Sequence, residues 1–177
     1  MLFDHFEKEN IAAKKINFPD RTSKTGIELN NYLTDPANKL SDEDVHKLFA
    51  ANRWEKKEEL INDLTTGTSL VCDRYAYSGV AYTSAKGIDF NWCLKSDIGL
   101  IKPDLVVYIE VEMSTISSRA GFGGERYEKT DFQSKVKDQF TKFKELYSDS
   151  QHWINIDGNT KSIEEMHEAI KEIVKNY

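Results

Sequence analysis

Three short apolar runs, separated by stretches with helical periodicity, constrain the fold of this chain more than any other feature. The runs are SLVC (69–72), DLVVYIEV (104–111) and WINI (153–156), and Ile-Asn-Phe at 16–18 is a candidate fourth strand. They lack the strict alternation of a half-exposed strand, which favours a parallel sheet that is covered on both faces.

The segments between these runs predict helices. Ser41 opens a helical pattern over 41–65, with an acid at Asp44 that completes a capping box, and the pattern allows a bend midway. Two further amphipathic stretches cover 130–147 and 162–177. Strands that alternate with helices indicate an α/β fold with a mostly parallel sheet, in which a ligand binds beyond the carboxyl ends of the strands.

Length and charge exclude some classes of protein. The 177 residues suit a single domain, because domains commonly hold roughly 100–200 residues. The formal net charge of −6 argues against a general nucleic-acid or anionic-membrane binder, since such proteins gather positive charge. A small anionic ligand held by a few arginines stays open.

The cysteines and the amino-terminal stretch bear on the compartment. Cys72 and Cys93 form no CxxC pair and lie in apolar sequence, so two reduced structural thiols are expected and no disulfide. The stretch MLFDHFEKENIAAKK has no apolar core like that of a signal peptide, and no run of about 18 apolar residues occurs. We therefore expect a cytosolic or nuclear protein.

Two polar clusters directly follow apolar runs. They are FPDR (18–21) and DRYAYSG (73–79), so both fall at the carboxyl edge of the predicted sheet. Arg21 and Arg74 offer planar forks of donors that match phosphate oxygens, and Asp73 can orient an arginine or hold Mg²⁺ through water. The alternative is a structural ion pair at the end of each strand.

Two further clusters carry aromatic and arginine side chains. Phe49 and Arg53 are four apart and share a helix face, where they suit a nucleobase as a stacking ring and a hydrogen-bond donor. The alternative is a core phenylalanine and a solvated arginine. Arg119 and Arg126 flank three glycines in SSRAGFGGERYE (117–128), a composition typical of a lid over a phosphoryl group or of a basic loop without a role.

In this order the clusters closely resemble eukaryotic-type thymidylate kinase. The matching segments cover most of 18–133 and are FPDRTSKTGIELNNYL, HKLFAANRWE, VCDRYAYSGVAYTSAKG, DFNWC, IGLIKPDLVVYIEV and FGGERYEKTDFQ. The resemblance implies a P-loop-kinase-like, three-layer α/β/α fold and phosphorylation of thymidine 5′-monophosphate (dTMP) to dTDP. It also implies ATP with Mg²⁺ as the phosphoryl donor, and a homodimer that pairs through helices, with the helix at 41–65 as a candidate surface.

The resemblance also implies roles for individual residues. It places Phe18, Arg21 and Arg74 at the acceptor phosphate, with Asp73 near the metal. Around the nucleoside it implies that Phe49 stacks on thymine, that Arg53 hydrogen-bonds to the base, and that the pocket is lined by Ser78, Gly79 and Tyr82.

A lid over about 115–130 completes the expected site. From it the resemblance implies that Tyr127, together with Gln133, closes over the nucleotide and that Arg126 approaches the transferring phosphate. Arg119 and Arg126 are the side chains expected on the ATP side.

One part of the expected site has no counterpart in these residues. Nothing matches the phosphate loop G-x-x-x-x-G-K-[ST], which in the family precedes the FPDR segment by about 30 residues, the length of one βα unit. Leu2, Phe3, Phe6 and Ile11 predict the tail of the helix after that loop. We therefore expect an amino-terminally truncated sequence without the first strand and loop, whose activity is in doubt.

Two other interpretations stay open at this stage. A non-catalytic module of the same family would bind dTMP or a partner without transferring phosphate. A deoxynucleoside kinase fits less well, because Phe49, Arg53 and the DRY-SGVAY run suit a monophosphate acceptor better.

Overall fold

The structure is a computed structural model that describes residues 1–117, 126–148 and 152–175. Helices and strands alternate along these ranges, as the spacing of apolar residues predicts. In chain order the elements are α1 (Leu2–Lys8), β1 (Ala13–Asn17), α2 (Lys24–Thr34), α3 (Asp42–Glu55), α4 (Lys57–Thr65), β2 (Ser69–Asp73), α5 (Ala76–Ser84), α6 (Phe90–Lys95), β3 (Val106–Glu110), α7 (Met113–Ser117), α8 (Thr130–Leu146), β4 (Trp153–Asp157) and α9 (Ile163–Val174).

Every strand pair in the described ranges is parallel. β1 pairs with β2 from Ala13↔Ser69 to Asn17↔Asp73, and β3 pairs with β4 from Val106↔Trp153 to Glu110↔Asp157. The expected parallel pairing is therefore confirmed, but as two sheets of two strands and not as one sheet. The fourth strand exists, although it begins at Ala13 and ends before Phe18.

The helix predicted over 41–65 is two helices. α3 ends at Glu55, and Lys56 separates it from α4, so the bend that the pattern allowed is real. At the start of α3 the Ser41 hydroxyl accepts a hydrogen bond from the Asp44 amide at 3.1 Å, which satisfies a backbone donor that the helix leaves unpaired. The helix predicted near the amino terminus is α1, and it ends before Ile11.

The largest hydrophobic core joins α5 and α8 to the β3–β4 sheet. Val80, Phe143 and Trp153 are buried at its centre, and the rings of Phe143 and Trp153 stack with centroids 5.8 Å apart. The predicted apolar face of 130–147 is confirmed, since Val136 and Phe143 are its buried members. This core fixes α5, the helix that carries the SGVAY residues.

The carboxyl-terminal helix and the cysteines differ in part from expectation. α9 has the capping box of Ser162 and Glu165, yet none of its residues is fully buried and Ile163 is exposed. Both cysteines are free thiols, as predicted. Cys93 is buried, whereas Cys72, one residue before the end of β2, has exposed surface.

Within the described ranges, no helix combines the length and apolar character that a transmembrane segment requires.

Candidate active site

The two arginine-bearing clusters lie side by side at one sheet edge. Asn17 is in register with Asp73, and the Phe18 amide donates to the Asp73 carbonyl at 3.0 Å, so the strands end together. Phe18 is buried with its ring 5.5 Å from that of Tyr75. The FPDR and DRY segments therefore leave the sheet at the same point, as their positions after apolar runs predicted.

Arg74 has an unusual backbone conformation. Its φ of 63° lies in the left-handed region, which residues with a side chain seldom adopt and which is frequent at functional sites. The guanidinium carbon is 5.3 Å from the centroid of the Tyr82 ring, within cation–π distance. The turn after β2 thus directs Arg74 toward α5, while the exposed Asp73 carboxylate marks the end of the strand.

A buried asparagine holds the FPDR loop. Asn52 Oδ1 accepts from the Asp20 amide at 2.8 Å, and Asn52 Nδ2 donates to the Asp20 carbonyl at 3.1 Å and to the Ser23 hydroxyl at 2.8 Å. The Asn52 side chain has no exposed surface. Sequence reasoning missed this residue, although an amide on the same helix as Phe49 and Arg53 was visible in LFAANRWE.

Gly26 explains how tightly α2 packs on that loop. A β-carbon at this position would lie 1.7 Å from the Asp20 carbonyl oxygen, so no side chain fits there.

The hydrogen bond from the Thr22 hydroxyl to the Asp20 carboxylate, at 2.6 Å, lowers the pKa of Asp20 to about 2. Arg21 lies two residues before Ser23, the N-cap of α2. Its Nη1 donates to Asn30 Oδ1 on that helix at 2.9 Å.

Arg53 is buried and held by a carboxylate. Its Nε and Nη2 donate to the two oxygens of Asp97 at 2.9 and 2.8 Å, and the arginine and aspartate side chains are 2% and 7% exposed. A β-carbon at Gly79 would lie 2.9 Å from Arg53 Nη2 and 3.0 Å from Nη1. Position 79 therefore needs glycine for a steric reason that the sequence did not reveal.

His46 ties together the helices that carry these residues. Its Nδ1 lies 2.9 Å from the Thr83 hydroxyl on α5, and its Nε2 lies 2.9 Å from the Cys93 carbonyl on α6. Burial lowers the pKa of His46 below the usual value, so the neutral ring is favoured. Because His46 belongs to α3, one side chain fixes three helices around Arg53.

The aromatic side of the site is formed by Tyr82, Tyr127 and Gln133. The Gln133 amide nitrogen donates to the Tyr82 hydroxyl at 3.2 Å and to the Tyr127 carbonyl at 2.9 Å. The rings of Tyr82 and Tyr127 meet edge to face at 5.8 Å, and Phe49 packs on the same cluster as Tyr127. The structure thus brings these predicted residues together around α5.

A lysine that the sequence did not suggest joins this group. Lys86 Nζ donates to the Tyr127 hydroxyl and to Asp42 Oδ1, both at 2.8 Å, and it lies over the Tyr127 ring. Burial raises the pKa of Tyr127, so its hydroxyl stays protonated.

Arg126 occupies a place that its predicted role did not anticipate. Its guanidinium donates to the carbonyls of Tyr32, Asp35 and Asn38 at 2.9, 2.8 and 2.7 Å, which closes the carboxyl-terminal end of α2. Approach to a transferring phosphate requires release of these bonds and stays a prediction. Arg119 and half of the predicted lid at 115–130 lie outside the described residues.

Ser78 and the metal ligands complete the predicted set. Ser78 is half-buried on α5, one turn before Tyr82. The part of the chain that the structure describes holds no group of three acidic, histidine or cysteine side chains that could bind a metal ion. An exposed single carboxylate such as Asp73 is still the donor that Mg²⁺ uses when phosphate and water supply its other ligands.

Comparison with known proteins gives consistent matches. A family model described as thymidylate kinase matches residues 1–170. Thymidylate kinase of Danio rerio is 42% identical over 177 residues, which are 99% of this chain and 81% of the relative. That of Homo sapiens is 40% identical over 161 residues, covering 90% of this chain and 74% of the relative.

A solved structure agrees with these sequence matches. The structure of thymidylate kinase from Candida albicans superposes with a TM-score of 0.88 at 34% identity. The match covers 97% of this chain and 84% of the other.

Proposed function

Because this chain belongs to the thymidylate kinase family, we propose that its FPDR, DRY and SGVAY segments form the acceptor site for dTMP. Relatives named thymidylate kinase, about 40% identical over most of the chain, support phosphorylation of dTMP to dTDP as its function. The protein is a nucleoside monophosphate kinase by this relationship.

The single observation that carries the proposal is the common end of β1 and β2. The register Asn17↔Asp73 places the residues that follow each strand at one edge, and these include Arg21 and Arg74. Two guanidinium groups suit the two negative charges of a monophosphate. Asn52 keeps one of the two loops rigid, so the phosphate meets donors that are already in position.

The base and sugar belong beside α5. Phe49 is the proposed stacking ring, and Tyr82, Tyr127 and Gln133 line the same pocket through their mutual contacts. Ser78 and Gly79 lie on the first turns of α5 between the phosphate edge and this aromatic group. Tyr82 contacts both Arg74 and Gln133, so it connects the phosphate edge to the residues proposed around the nucleoside.

ATP with Mg²⁺ is the proposed phosphoryl donor, as is general for the family. When bound, Mg²⁺ would neutralise part of the charge on the phosphates. Asp73 fits the ion as a water-mediated ligand, because its carboxylate is exposed next to the acceptor arginine Arg74.

We further propose that these 177 residues bind dTMP more effectively than they transfer phosphate. The acceptor residues are present, but no G-x-x-x-x-G-K-[ST] occurs in the sequence, and that loop supplies the backbone donors and lysine for the ATP phosphates.

Two measurements test these proposals. Calorimetric titration should show dTMP binding that is about tenfold weaker or worse for Arg74→Met, since a charge-assisted phosphate contact is lost. Lys142→Met, which removes an exposed cation over Phe90, should bind normally. A folded chain that binds no dTMP contradicts the acceptor site, and turnover equal to that of a relative with the phosphate loop contradicts the second proposal.

We also propose that the protein forms a homodimer through α2 and α3. Ile27 on α2 is 56% exposed. A shallow groove of about 270 Å³ between these helices is lined by Leu40, Leu48, Ala51 and the polar side chains Glu28, Asp44 and Lys47. An apolar strip with charged margins is typical of a protein–protein contact surface.

A further inference from the structure

Asp97 is the residue on which the position of Arg53 depends. It follows α6 in the turn before β3, and it lies outside the segments that carry the family resemblance. Its carboxylate accepts two parallel hydrogen bonds from the Arg53 guanidinium, at 2.9 Å from Nε and 2.8 Å from Nη2. Such bidentate pairs fix the plane of the guanidinium as well as its location.

The carboxylate is itself held in place by its own turn. The Trp54 indole nitrogen, next to Arg53 on α3, donates to the Ser96 carbonyl at 2.9 Å, one residue before Asp97. Gly99 lets the same turn pass close to the Trp54 ring, since a β-carbon there would lie 3.2 Å from it. The turn at 96–99 therefore contacts α3 at two adjacent residues, Arg53 and Trp54. These contacts leave the Arg53 side chain little freedom to move.

The pairing leaves a defined set of donors on Arg53. Nε and Nη2 are bonded to Asp97, and the hydrogen bonds of the described residues include none from Nη1. Nη1 and Nη2 both face the bare α-carbon of Gly79, where a side chain would cover them. Gly79 lies on the turn of α5 that precedes Tyr82, so the unused donors point toward the proposed base pocket.

We propose that Asp97 is a positioning residue that holds Arg53 for a pyrimidine with a carbonyl at C4 and so selects it over a pyrimidine with an amino group there. The inference rests on the proposed acceptor function. A guanidinium has donors and no acceptor, so it hydrogen-bonds a C4 carbonyl and leaves a C4 amino group unpaired. A site built for one hydrogen bond rejects the analogue that lacks it most strongly when the donor cannot move away.

Without the carboxylate, Arg53 loses this rigidity. The side chain has four torsions, so without its two bonds to Asp97 it can turn away from a C4 amino group at a lower cost. Asp97→Asn keeps the size of the side chain but presents an amide that cannot accept both hydrogen bonds. Selectivity for the C4 carbonyl should then fall more than affinity for the phosphate.

The test is calorimetric titration of the 177-residue chain with dTMP and with dCMP. For Asp97→Asn we expect the ratio of the two affinities to fall about tenfold or more, the scale of one lost hydrogen bond in a specific site. Asp63→Asn is the control, because it removes a carboxylate that pairs with Lys14 on β1 instead. It should leave the ratio unchanged.

A double variant separates positioning from stability. In an Arg53→Met background, Asp97→Leu removes both charges together, so the protein folds without an unpaired ion. If Asp97 acts through Arg53, this second change leaves the dTMP to dCMP ratio of Arg53→Met where it was. A further drop in the ratio would show that Asp97 acts by another route and would overturn the proposal.

A second readout does not depend on nucleotide. Nitrogen-15 NMR of the Arg53 Nε–H should show slow exchange with water in the wild type and in Asp63→Asn, and fast exchange in Asp97→Asn. A slow Nε–H in Asp97→Asn overturns the positioning role. If the wild type binds neither nucleotide, the proposed acceptor function fails, and the exchange rate still decides whether Asp97 holds Arg53.

Discussion

The guanidinium of Arg53 fills the space in which a side chain at Gly79 would begin. A β-carbon at position 79 would lie 2.9 Å from Nη2 and 3.0 Å from Nη1, closer than such atoms pack in proteins. Arg53 cannot easily retreat, because Asp97 binds it from the other side at 2.8 and 2.9 Å. The glycine of SGVAY and the arginine of ANRWE thus depend on each other, although they are far apart in the sequence.

Replacing Gly79 by alanine should destabilise the protein and weaken dTMP binding. The added methyl group must displace the Arg53 guanidinium, and overpacking of this kind costs about 1–3 kcal/mol. Urea unfolding and calorimetric titration measure the two effects. In an Arg53→Met background the same alanine should cost less, since a flexible apolar side chain replaces the rigid fork. An equal cost in both backgrounds would show that the clash is not with Arg53.

Asn52→Ala should loosen the acceptor loop. The Asp20 amide and carbonyl lose their partner, and a buried group left unpaired costs about 1–3 kcal/mol. We expect lower stability and a weaker affinity for dTMP, with a smaller effect on thymidine, which has no phosphate for Arg21 to bind. Asn62→Ala on the exposed side of α4 is the matched control. If dTMP and thymidine lost affinity equally, the loop that Asn52 holds would not act through the phosphate, which would contradict the prediction.

His46 should make stability depend on pH. Burial lowers its pKa in the folded state, so below the ordinary value of about 6.5 the unfolded chain binds a proton at this residue that the folded chain does not. The stability from a neutral His46 is therefore complete above that value and is lost as the pH falls below it toward the folded-state pKa. Urea unfolding at pH 5 and pH 7.5 measures the difference.

Variants identify the group that titrates. His46→Gln should lower stability at both pH values but flatten the change between them, whereas His152→Gln, at an exposed position, should keep the wild-type change. If His46→Gln retains the full pH dependence, another group is responsible.

Leu48→Glu should prevent the proposed dimer. Leu48 lines the groove between α2 and α3, and a carboxylate there would be buried without a partner in a symmetric interface. Sedimentation equilibrium should give a dimer for the wild type and a monomer for the variant, while dTMP binding to the monomer persists. Ile163→Glu changes an exposed apolar residue on a different helix, α9, and should leave the dimer intact. A wild type that is monomeric at high concentration would contradict the proposed interface.

Much of the fold was predictable because its signals are local. The apolar runs that became β2, β3 and β4 and the helical spacing of 130–147 follow from the periods of strand and helix. The helical pattern over 41–65 also allowed the bend that the structure has at Lys56. The start of β1 at Ala13 was not, because Ala13-Lys14-Lys15 has little apolar character and its pairing with β2 supplies the missing preference.

The candidate site divides in the same way. Residues that bear recognisable chemistry, such as Arg21, Arg74, Phe49 and Arg53, stand out in motifs, and the structure places the FPDR and DRY segments together. Asn52, Lys86 and Asp97 do not stand out, because each acts on a residue distant in sequence: Asp20, Tyr127 and Arg53 respectively. Arg126 is the opposite case. Its sequence context predicts a lid residue, and in the structure its guanidinium donates to carbonyls at the carboxyl-terminal end of α2.

By itself the sequence determined the family, the order of strands and helices, and a set of candidate phosphate-binding groups, since these follow from residue type and spacing along the chain. Only the tertiary structure decided which of these groups are held rigidly and by what. The bonds between Asp20 and Asn52 and between Arg53 and Asp97 span tens of residues, and they form only after packing has brought the helices together. Gly79 illustrates both parts. It belongs to a recognisable sequence motif, but the steric need for glycine comes from the Arg53 guanidinium on another helix.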